Sequence, residues 1–188
     1  MKRILTAVLI VLLMCGCTTG NAAYEQALGL RARLQSGGGC AFVADITADY
    51  GEYVYDFELD CVADCSGNIQ FSVLSPDNIA GITGIISQSE GAITFDDKLL
   101  AFDLLADGCI SPVSAPWIVM RSLLGGYIGS CTVNDSGYLI RIDDSYEEDS
   151  LKLELWTDQQ MLPFRTDVMW QGRRVLAVNI KNFKIFEN

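Results

Sequence analysis

Polar and apolar residues alternate along most of this chain, and this alternation predicts β-strands. The clearest run is Tyr53 to Cys61, where apolar residues at every second position are separated by residues such as Asp56 and Asp60. Comparable runs recur from Cys40 to Phe186, and short turns rich in Gly, Asn, Asp and Ser separate them. About ten strands joined in this way predict a mainly β (α+β) fold built on one antiparallel meander, which is expected to curl.

Two segments have a helical pattern instead. The first runs from about Ala22 to Gln35 and ends at a glycine-rich stretch, residues 36–39. The second runs from Ala115 to Gly126, with a proline in its first turn and two glycines at its end. It is apolar on most sides, with Arg121 and Ser122 as the polar exceptions, so it must be largely buried. We expect it to plug the concave side of the curved sheet.

The predicted inner surface of the sheet is apolar and aromatic. Either the plug helix fills this space completely, as an ordinary core helix does, or it leaves a cleft for a hydrophobic ligand. The candidate lining residues of such a cleft are Tyr55, Phe57, Phe71, Phe95, Trp117, Met120 and Leu124.

The chain begins with a pattern typical of a secretion signal. Basic residues at positions 2 and 3 precede an apolar run that ends at Cys15-Gly16-Cys17, too short to span a membrane as a helix. Gly16 followed by Cys17 resembles the lipobox of bacterial lipoproteins, in which cleavage precedes the cysteine and the cysteine carries a diacylglycerol and fatty acyl group such as palmitate. Plain secretion with cleavage nearby is the alternative. We therefore predict a signal peptide over residues 1–16, a lipidated cysteine and tether over 17–23, and a folded domain over 24–188.

The charge of the mature chain limits its partners. Removal of residues 1–16 leaves 11 basic and 24 acidic residues, a formal charge of −13. Such a surface repels nucleic acid and anionic lipid head groups, so we expect no nucleic-acid partner. Attachment to the extracytoplasmic face of a bacterial cell membrane would then depend on the lipid at Cys17.

The remaining cysteines are odd in number. After loss of Cys15 and acylation of Cys17, five are left, namely Cys40, Cys61, Cys65, Cys109 and Cys131. At least one thiol is therefore expected to stay free or to pair outside the chain. The spacing of Cys61 and Cys65 allows a bridge across a turn without requiring one.

The sequence offers little catalytic chemistry. It has no histidine, which excludes Ser-His-Asp and Cys-His arrangements and makes a zinc site unexpected. The acidic run from Asp143 to Asp149 lacks the spacing and the glycine of a calcium loop, and we interpret it as an exposed connection. We therefore expect neither an enzyme nor a bound metal or cofactor.

The order of the predicted segments resembles the LolA/LolB-like lipoprotein superfamily. A lipobox cysteine, an N-terminal helix, a long antiparallel meander and a helix-bearing insertion before the closing strands carry this resemblance, which spans roughly Tyr24 to the C terminus. It implies an unclosed β half-barrel covered by helices, whose concave face accepts acyl chains of lipoproteins or other lipids. Some members act instead as envelope-stress sensors or as accessory lipoproteins in spore germination. Only Cys17 corresponds to a functional position of the family.

Two functions are compatible with these observations. In the first, a lipid-anchored lipoprotein binds lipid acyl chains, or a lipoprotein that carries them, in the half-barrel. In the second, the half-barrel is solid, and the protein is an envelope scaffold or regulatory lipoprotein that meets a protein partner through an acidic face containing Asp56, Glu58 and Asp60.

Overall fold

The computed structural model describes residues 19–87, 90–95, 98–103, 105–106, 109–147 and 150–187. The predicted signal peptide and Cys17 lie outside these residues. Helix α1 spans Thr19–Ser36 and begins three residues before the predicted start. Helix α2 spans Ala115–Gly125, in agreement with the prediction. Within the described part of the chain, neither helix has the length and apolar character needed to cross a membrane.

The other described elements are mostly strands. Short 3-10 helices at Asp77–Ile79 and Pro112–Ser114 interrupt them. The strands are β1 (Cys40–Asp49), β2 (Val54–Ala63), β3 (Ile69–Ser75), β4 (Thr83–Ser87), β5 (Glu90–Phe95), β6 (Lys98–Asp103), β7 (Leu105–Ala106), β8 (Cys109–Ile110), β9 (Tyr127–Asn134), β10 (Gly137–Asp143), β11 (Lys152–Thr157), β12 (Pro163–Trp170) and β13 (Arg173–Ile185).

One unclosed antiparallel sheet of eleven strands dominates the fold, which confirms the predicted mainly β open half-barrel. Its order is β6-β5-β4-β3-β2-β1-β13-β12-β11-β10-β9, while β7 and β8 form a separate small hairpin. Two meanders, β1–β6 and β9–β13, therefore lie side by side. They are joined by pairing between the first strand and the last, with Ala48 opposite Leu176 and Ala44 opposite Ile180.

The sheet has a buried inner face that β1 defines most clearly. Along β1 every second residue, from Cys40 to Ala48, is buried, while the residues between them are half-buried. Helix α2 covers this face, since the Cys40 Sγ lies 3.8 Å from the Met120 Sδ. A bulge in β13, where Asn182 adopts a left-handed conformation, turns Phe183 towards the inner face. The Phe183 ring then stacks on Phe42 with ring centroids 5.6 Å apart.

The outer face of the sheet carries charged side chains. Lys181 lies 3.1 Å from Glu58 and 3.4 Å from Asp45, and hydrogen bonds to these two carboxylates raise its pKa. On neighbouring strands, Arg141 pairs with Glu154 at 2.8 Å. Exposed pairs of this kind contribute little stability, so their main effect is to keep this face of the sheet polar.

Helix α2 is buried on nearly all sides. Eight of its eleven residues are buried, and they include Ser122, one of the two polar exceptions in the sequence pattern. The Ser122 hydroxyl lies 3.4 Å from Asp144, so it has a polar partner inside the fold. Arg121, the other polar exception, is exposed and pairs with the same carboxylate at 3.5 Å.

Helix α1 holds the C-terminal end of α2. The Arg31 guanidinium donates hydrogen bonds to the carbonyl oxygens of Leu123 (2.6 Å) and Gly126 (2.7 Å), and a longer one to that of Ser122 (3.4 Å). These carbonyls belong to the end of a helix, where intrahelical donors run out and a positive charge is favourable. Arg31 therefore fixes the position of the plug helix relative to α1.

We expect Arg31→Ala to lower the free energy of unfolding by about 1–3 kcal/mol, because it leaves partly buried carbonyl oxygens without a donor. Urea unfolding followed by circular dichroism measures this change. The matched control is Arg33→Ala, since Arg33 makes one exposed hydrogen bond to the Gln160 carbonyl. Equal losses for the two variants would contradict the role assigned to Arg31.

Candidate functional site

The inner face of the sheet opens to solvent at the β1–β2 hairpin. Tyr55 lies opposite Ala48 and Phe57 opposite Ile46, so both side chains belong to the inner face. Along β2, Leu59 is buried, Phe57 is half-buried, and Tyr55 is 46% exposed. The exposure of these apolar side chains thus increases from the core towards the hairpin turn. We call Tyr50, Tyr53, Tyr55 and Phe57 the aromatic mouth.

The tyrosine rings of the aromatic mouth contact one another. The ring centroids of Tyr50 and Tyr55 are 6.1 Å apart, and those of Tyr53 and Tyr55 are 6.4 Å apart at an interplanar angle of 23°. The Tyr50 hydroxyl also donates a hydrogen bond to the Ile110 carbonyl, which ties the hairpin to the segment that leads into α2. Tyr53 is 62% exposed, so the group presents aromatic surface to solvent.

A cavity of about 340 Å³ adjoins the aromatic mouth. Its volume is at the small end of the range found for ligand sites. Apolar side chains from four parts of the chain form most of its wall, and polar side chains form one rim. The lining residues are Asp49, Tyr50, Ile110, Trp170, Gln171, Arg173 and Val175.

Strand pairing explains how this cavity is assembled. Trp170 follows two residues after Val168, which lies opposite the inner-face residue Leu176, so Trp170 also belongs to the inner face. At the end of the strands Trp170 lies opposite Arg173, which reaches Asp49 at the end of β1. The cavity therefore lies where β1 and β12 end and β13 begins.

The polar rim of the cavity contains an ion pair between Arg173 and Asp49, in which Arg173 uses only one of its nitrogen atoms. Arg173 Nη2 lies 2.8 Å from Asp49 Oδ1 and 3.4 Å from the Asp49 carbonyl oxygen. The same Oδ1 accepts a hydrogen bond from the Gly51 amide at 2.8 Å. Gly51 has a φ of 92°, which favours glycine, and a Cβ there would lie 3.2 Å from Arg173 Nη1. The guanidinium thus packs against the glycine of the hairpin turn, in space that a side chain at position 51 would occupy.

The residues predicted to line a cleft fall into two groups in the structure. Tyr55 and Phe57 lie in the aromatic mouth. Phe71, Trp117 and Met120 are buried in the core, and Leu124 is half-buried beside Gly67. Phe95 ends β5, and its side chain lies outside the described part of the chain.

Sequence reasoning did not identify the other residues of the site. It did not select Asp49, Tyr50, Ile110, Trp170 or Arg173, which come from distant parts of the chain. For Trp170, the signal was its place in the alternating apolar series of β12. For Asp49 and Arg173 the sequence carries no comparable signal, because their proximity depends on the pairing of β1 with β13.

A second cavity, of about 300 Å³, lies on the outer face near the start of β1. A row of side chains across three strands, Val62, Gln70 and Ile85, contributes to it, and Phe186 closes one side. Val62 and Ile85 are both exposed. This cavity is on the opposite face of the sheet from the aromatic mouth and is not covered by α2.

Four cysteines in the described part of the chain are free thiols. Cys40, Cys61 and Cys131 are buried, whereas Cys65 is exposed in the β2–β3 turn, so the bridge that the Cys61–Cys65 spacing allowed is absent. Burial raises the pKa of the Cys40 thiol to about 12, and burial, with Asp60 and Cys40 nearby, raises the pKa of Cys61. Both are protonated at neutral pH and are poor nucleophiles.

Metal ligands do not gather in the described residues, which contain no group of three or more His, Cys, Asp or Glu side chains placed to hold an ion. Two carboxylates adjoining the aromatic mouth in the chain are instead used in pairing. Asp49 binds Arg173, and Asp56 accepts a hydrogen bond of 2.7 Å from the Thr47 hydroxyl on the outer face.

No family model and no curated protein matches this sequence. Several solved structures, however, are similar to the structure of this chain. An uncharacterized conserved protein from Thermus thermophilus has a TM-score of 0.49 at 9% identity, covering 88% of this chain and 88% of that chain. A LolA superfamily protein from Nitrosomonas europaea has a TM-score of 0.48 at 9% identity, covering 86% of this chain and 94% of that chain.

The mycobacterial lipoprotein LppX, from Mycobacterium tuberculosis, has a TM-score of 0.36 at 10% identity, covering 82% of this chain and 93% of that chain. A LolA superfamily protein is thus among the solved structures to which this chain is similar. These identities assign no ligand and no functional residue. The function is therefore inferred from the geometry of the aromatic mouth and its cavity.

We expect iodoacetamide at pH 8 to modify Cys65 in the native chain at least about 100-fold faster than Cys40 and Cys61, because burial both shields those thiols and keeps them protonated. Peptide mapping by mass spectrometry after timed labelling measures the three rates. Labelling in denaturant is the control, since all thiols should then react alike. Rapid native labelling of Cys61 would show that the inner face is not closed over β2.

Proposed function

We propose that this chain is an extracytoplasmic lipoprotein that binds the apolar part of a lipid at the aromatic mouth and the adjoining cavity. The observation that carries the proposal is the change in exposure along the inner face of β2. The face that is buried at Leu59 reaches solvent at Tyr55 without changing its apolar character. A soluble domain gains nothing from such exposed aromatic surface unless a ligand or a partner covers it.

The two groups of predicted residues would then have different tasks. Phe71, Trp117 and Met120 pack the core and would support the site from behind. Tyr50, Tyr55 and Trp170 present ring surface that a lipid chain can cover. Covering apolar surface is favourable by roughly 25 cal/mol per Å², so even partial burial of three rings would give useful affinity.

Membrane attachment is the second part of the proposal. If Cys17 is acylated, only Thr18 separates it from the first residue of α1, Thr19. Most of the segment predicted as a tether would then be helical, and the start of α1 would lie within about 7 Å of the modified cysteine. Helix α1 is in turn fixed to α2 through Arg31. The domain would therefore be held close to the membrane from which lipid could come.

A protein partner is the second candidate function, and the outer face favours it. Val62 and Ile85 are exposed there beside the second cavity. Asp60 lies between them and the acidic residues Asp56 and Glu58 on β2, so apolar and acidic surface adjoin. An envelope scaffold or regulatory lipoprotein could use this surface without any ligand on the inner face.

The lipid proposal predicts that a lipid co-purifies with the chain from Thr18 to Asn188, which contains every described helix and strand, when no detergent is used. Mass spectrometry of the organic extract measures this. We further expect Tyr55→Ser to weaken binding of the neutral probe N-phenylnaphthylamine by about fivefold, because loss of an aromatic contact costs about 1 kcal/mol.

The control for this experiment is Tyr146→Ser. Tyr146 is 90% exposed and contacts Tyr127, away from the aromatic mouth. A clean organic extract from folded protein, together with no saturable probe binding, would refute the lipid proposal. Crosslinking through the outer face in intact cells would then test the second candidate function.

Anchoring makes a separate prediction. The full chain expressed in bacteria should incorporate a labelled palmitate analogue, and Cys17→Ser should abolish the incorporation because it removes the acceptor thiol. Cys65→Ser is the matched control, since it removes a different exposed thiol. Labelling that survives Cys17→Ser would contradict lipidation at this position.

A further inference from the structure

The cavity beside the aromatic mouth has distinct apolar and polar sides. Tyr50, Ile110, Trp170 and Val175 provide the apolar wall. The rim at the β12–β13 turn contains Gln171 and Arg173 and faces Asp49. A ligand with an apolar chain and a polar end would therefore bind in one orientation, with its polar end at this rim.

Arg173 gives the rim its chemical preference. Among the described residues that line the cavity, Arg173 alone is basic. The mature chain has a formal charge of −13, so an anionic group is held only where a cation is placed to receive it. An arginine at the end of an apolar cavity is suited to a carboxylate or a phosphate, because the planar guanidinium can donate two parallel hydrogen bonds to either.

The guanidinium has donors to spare. Arg173 uses Nη2 for both hydrogen bonds to Asp49, and no other described residue accepts a hydrogen bond from its Nε or Nη1. Its side chain is 54% exposed. This exposure leaves Nε and Nη1 available to a ligand.

Asp49 has a positioning role in this arrangement. Its carboxylate orients Arg173 towards the cavity and is itself oriented by the Gly51 amide. It also competes with any anionic ligand for the same guanidinium. Removing the charge of Asp49 while keeping its shape should therefore strengthen the binding of an anion.

We infer that Arg173, with Gln171, is a head-group site, and that the ligand of the aromatic mouth is an amphiphile with an anionic head group, a carboxylate or a phosphate. This inference rests on the proposed lipid function and adds the class of ligand. A fatty acid would supply the carboxylate, and a phospholipid would supply the phosphate.

The test compares three amphiphiles that share a palmitoyl chain. Palmitate carries a carboxylate, palmitoyl lysophosphatidic acid carries a phosphate, and monopalmitoylglycerol is uncharged. Each is titrated below its micelle concentration against the chain from Thr18 to Asn188 loaded with N-phenylnaphthylamine, and displacement of the probe gives the affinity. Arg173→Gln should weaken at least one anionic ligand by about tenfold or more and leave the uncharged one within about twofold.

Arg174→Gln is the matched control. Arg174 is the next residue, its side chain is similarly exposed at 52%, and it also forms an ion pair, with Asp167 at 3.4 Å. It lies on the outer face, because it pairs opposite Met169, the neighbour of the inner-face residues Val168 and Trp170. This variant loses the same charge without touching the cavity, so it should bind all three amphiphiles as the unmodified chain does.

Asp49→Asn gives a prediction of opposite sign. The amide oxygen can still accept the hydrogen bond from Gly51, but the competing charge is gone, so an anionic ligand should bind several-fold more tightly. Urea unfolding of each variant identifies any loss of fold.

The outcomes separate the inference from the function on which it rests. If Arg173→Gln loses affinity for one or both anionic amphiphiles, the head-group site is supported. The ligand that is affected then shows whether the site accepts a carboxylate, a phosphate or both. Equal affinities for all three amphiphiles, or an unchanged Arg173→Gln, overturns the head-group site while leaving the lipid proposal standing. If none of the three amphiphiles, including the uncharged one, displaces the probe, both the lipid proposal and the head-group site are refuted.

Discussion

The pairing of β1 with β13 is the interaction on which the rest of this structure depends. It pairs the first strand in the chain with the last, and so joins two meanders into one unclosed sheet. Such a contact between distant parts of the chain has to repay the entropy of closing a long loop. Buried residues on both strands, such as Ile46 opposite Val178, supply that stabilisation through the inner face.

The same pairing creates the site. Asp49 is the last residue of β1 and Tyr50 follows it, Arg173 and Val175 lie at the start of β13, and the cavity forms where these strand ends meet. The tyrosines of the β1–β2 hairpin extend its apolar surface towards solvent. Core and site are thus continuous parts of one face, and they differ in what covers them. Helix α2 covers the core, and Arg31 fixes the end of that helix.

The two faces of the sheet divide the chemistry of the protein. The outer face carries paired charges, such as Lys181 with Glu58, and keeps an acidic domain soluble. Among the described side chains the inner face is apolar almost throughout, and the ion pair of Asp49 with Arg173 lies at its end. An ion pair at the limit of an apolar surface is where a ligand with a chain and a charged end can satisfy both of its parts.

Much of this architecture could be predicted from the sequence. The period-two alternation predicted the strands, and the apolar run with its proline and terminal glycines predicted α2 to within one residue. These features are local, because side-chain alternation and helix-end signals act over a few residues. The apolar character of Tyr55 and Phe57 also indicated the inner face, on which both are found.

Only the tertiary structure decided which apolar residues are core and which are accessible. Phe71 and Tyr55 look alike in the alternating pattern, yet Phe71 is buried and Tyr55 reaches solvent, because α2 covers only part of the face. The sequence by itself determined the strands, the plug helix and the acidic surface. The approach of Arg173 to Asp49 depended on the pairing of β1 with β13, since no local pattern encodes a contact between residues so far apart in the chain.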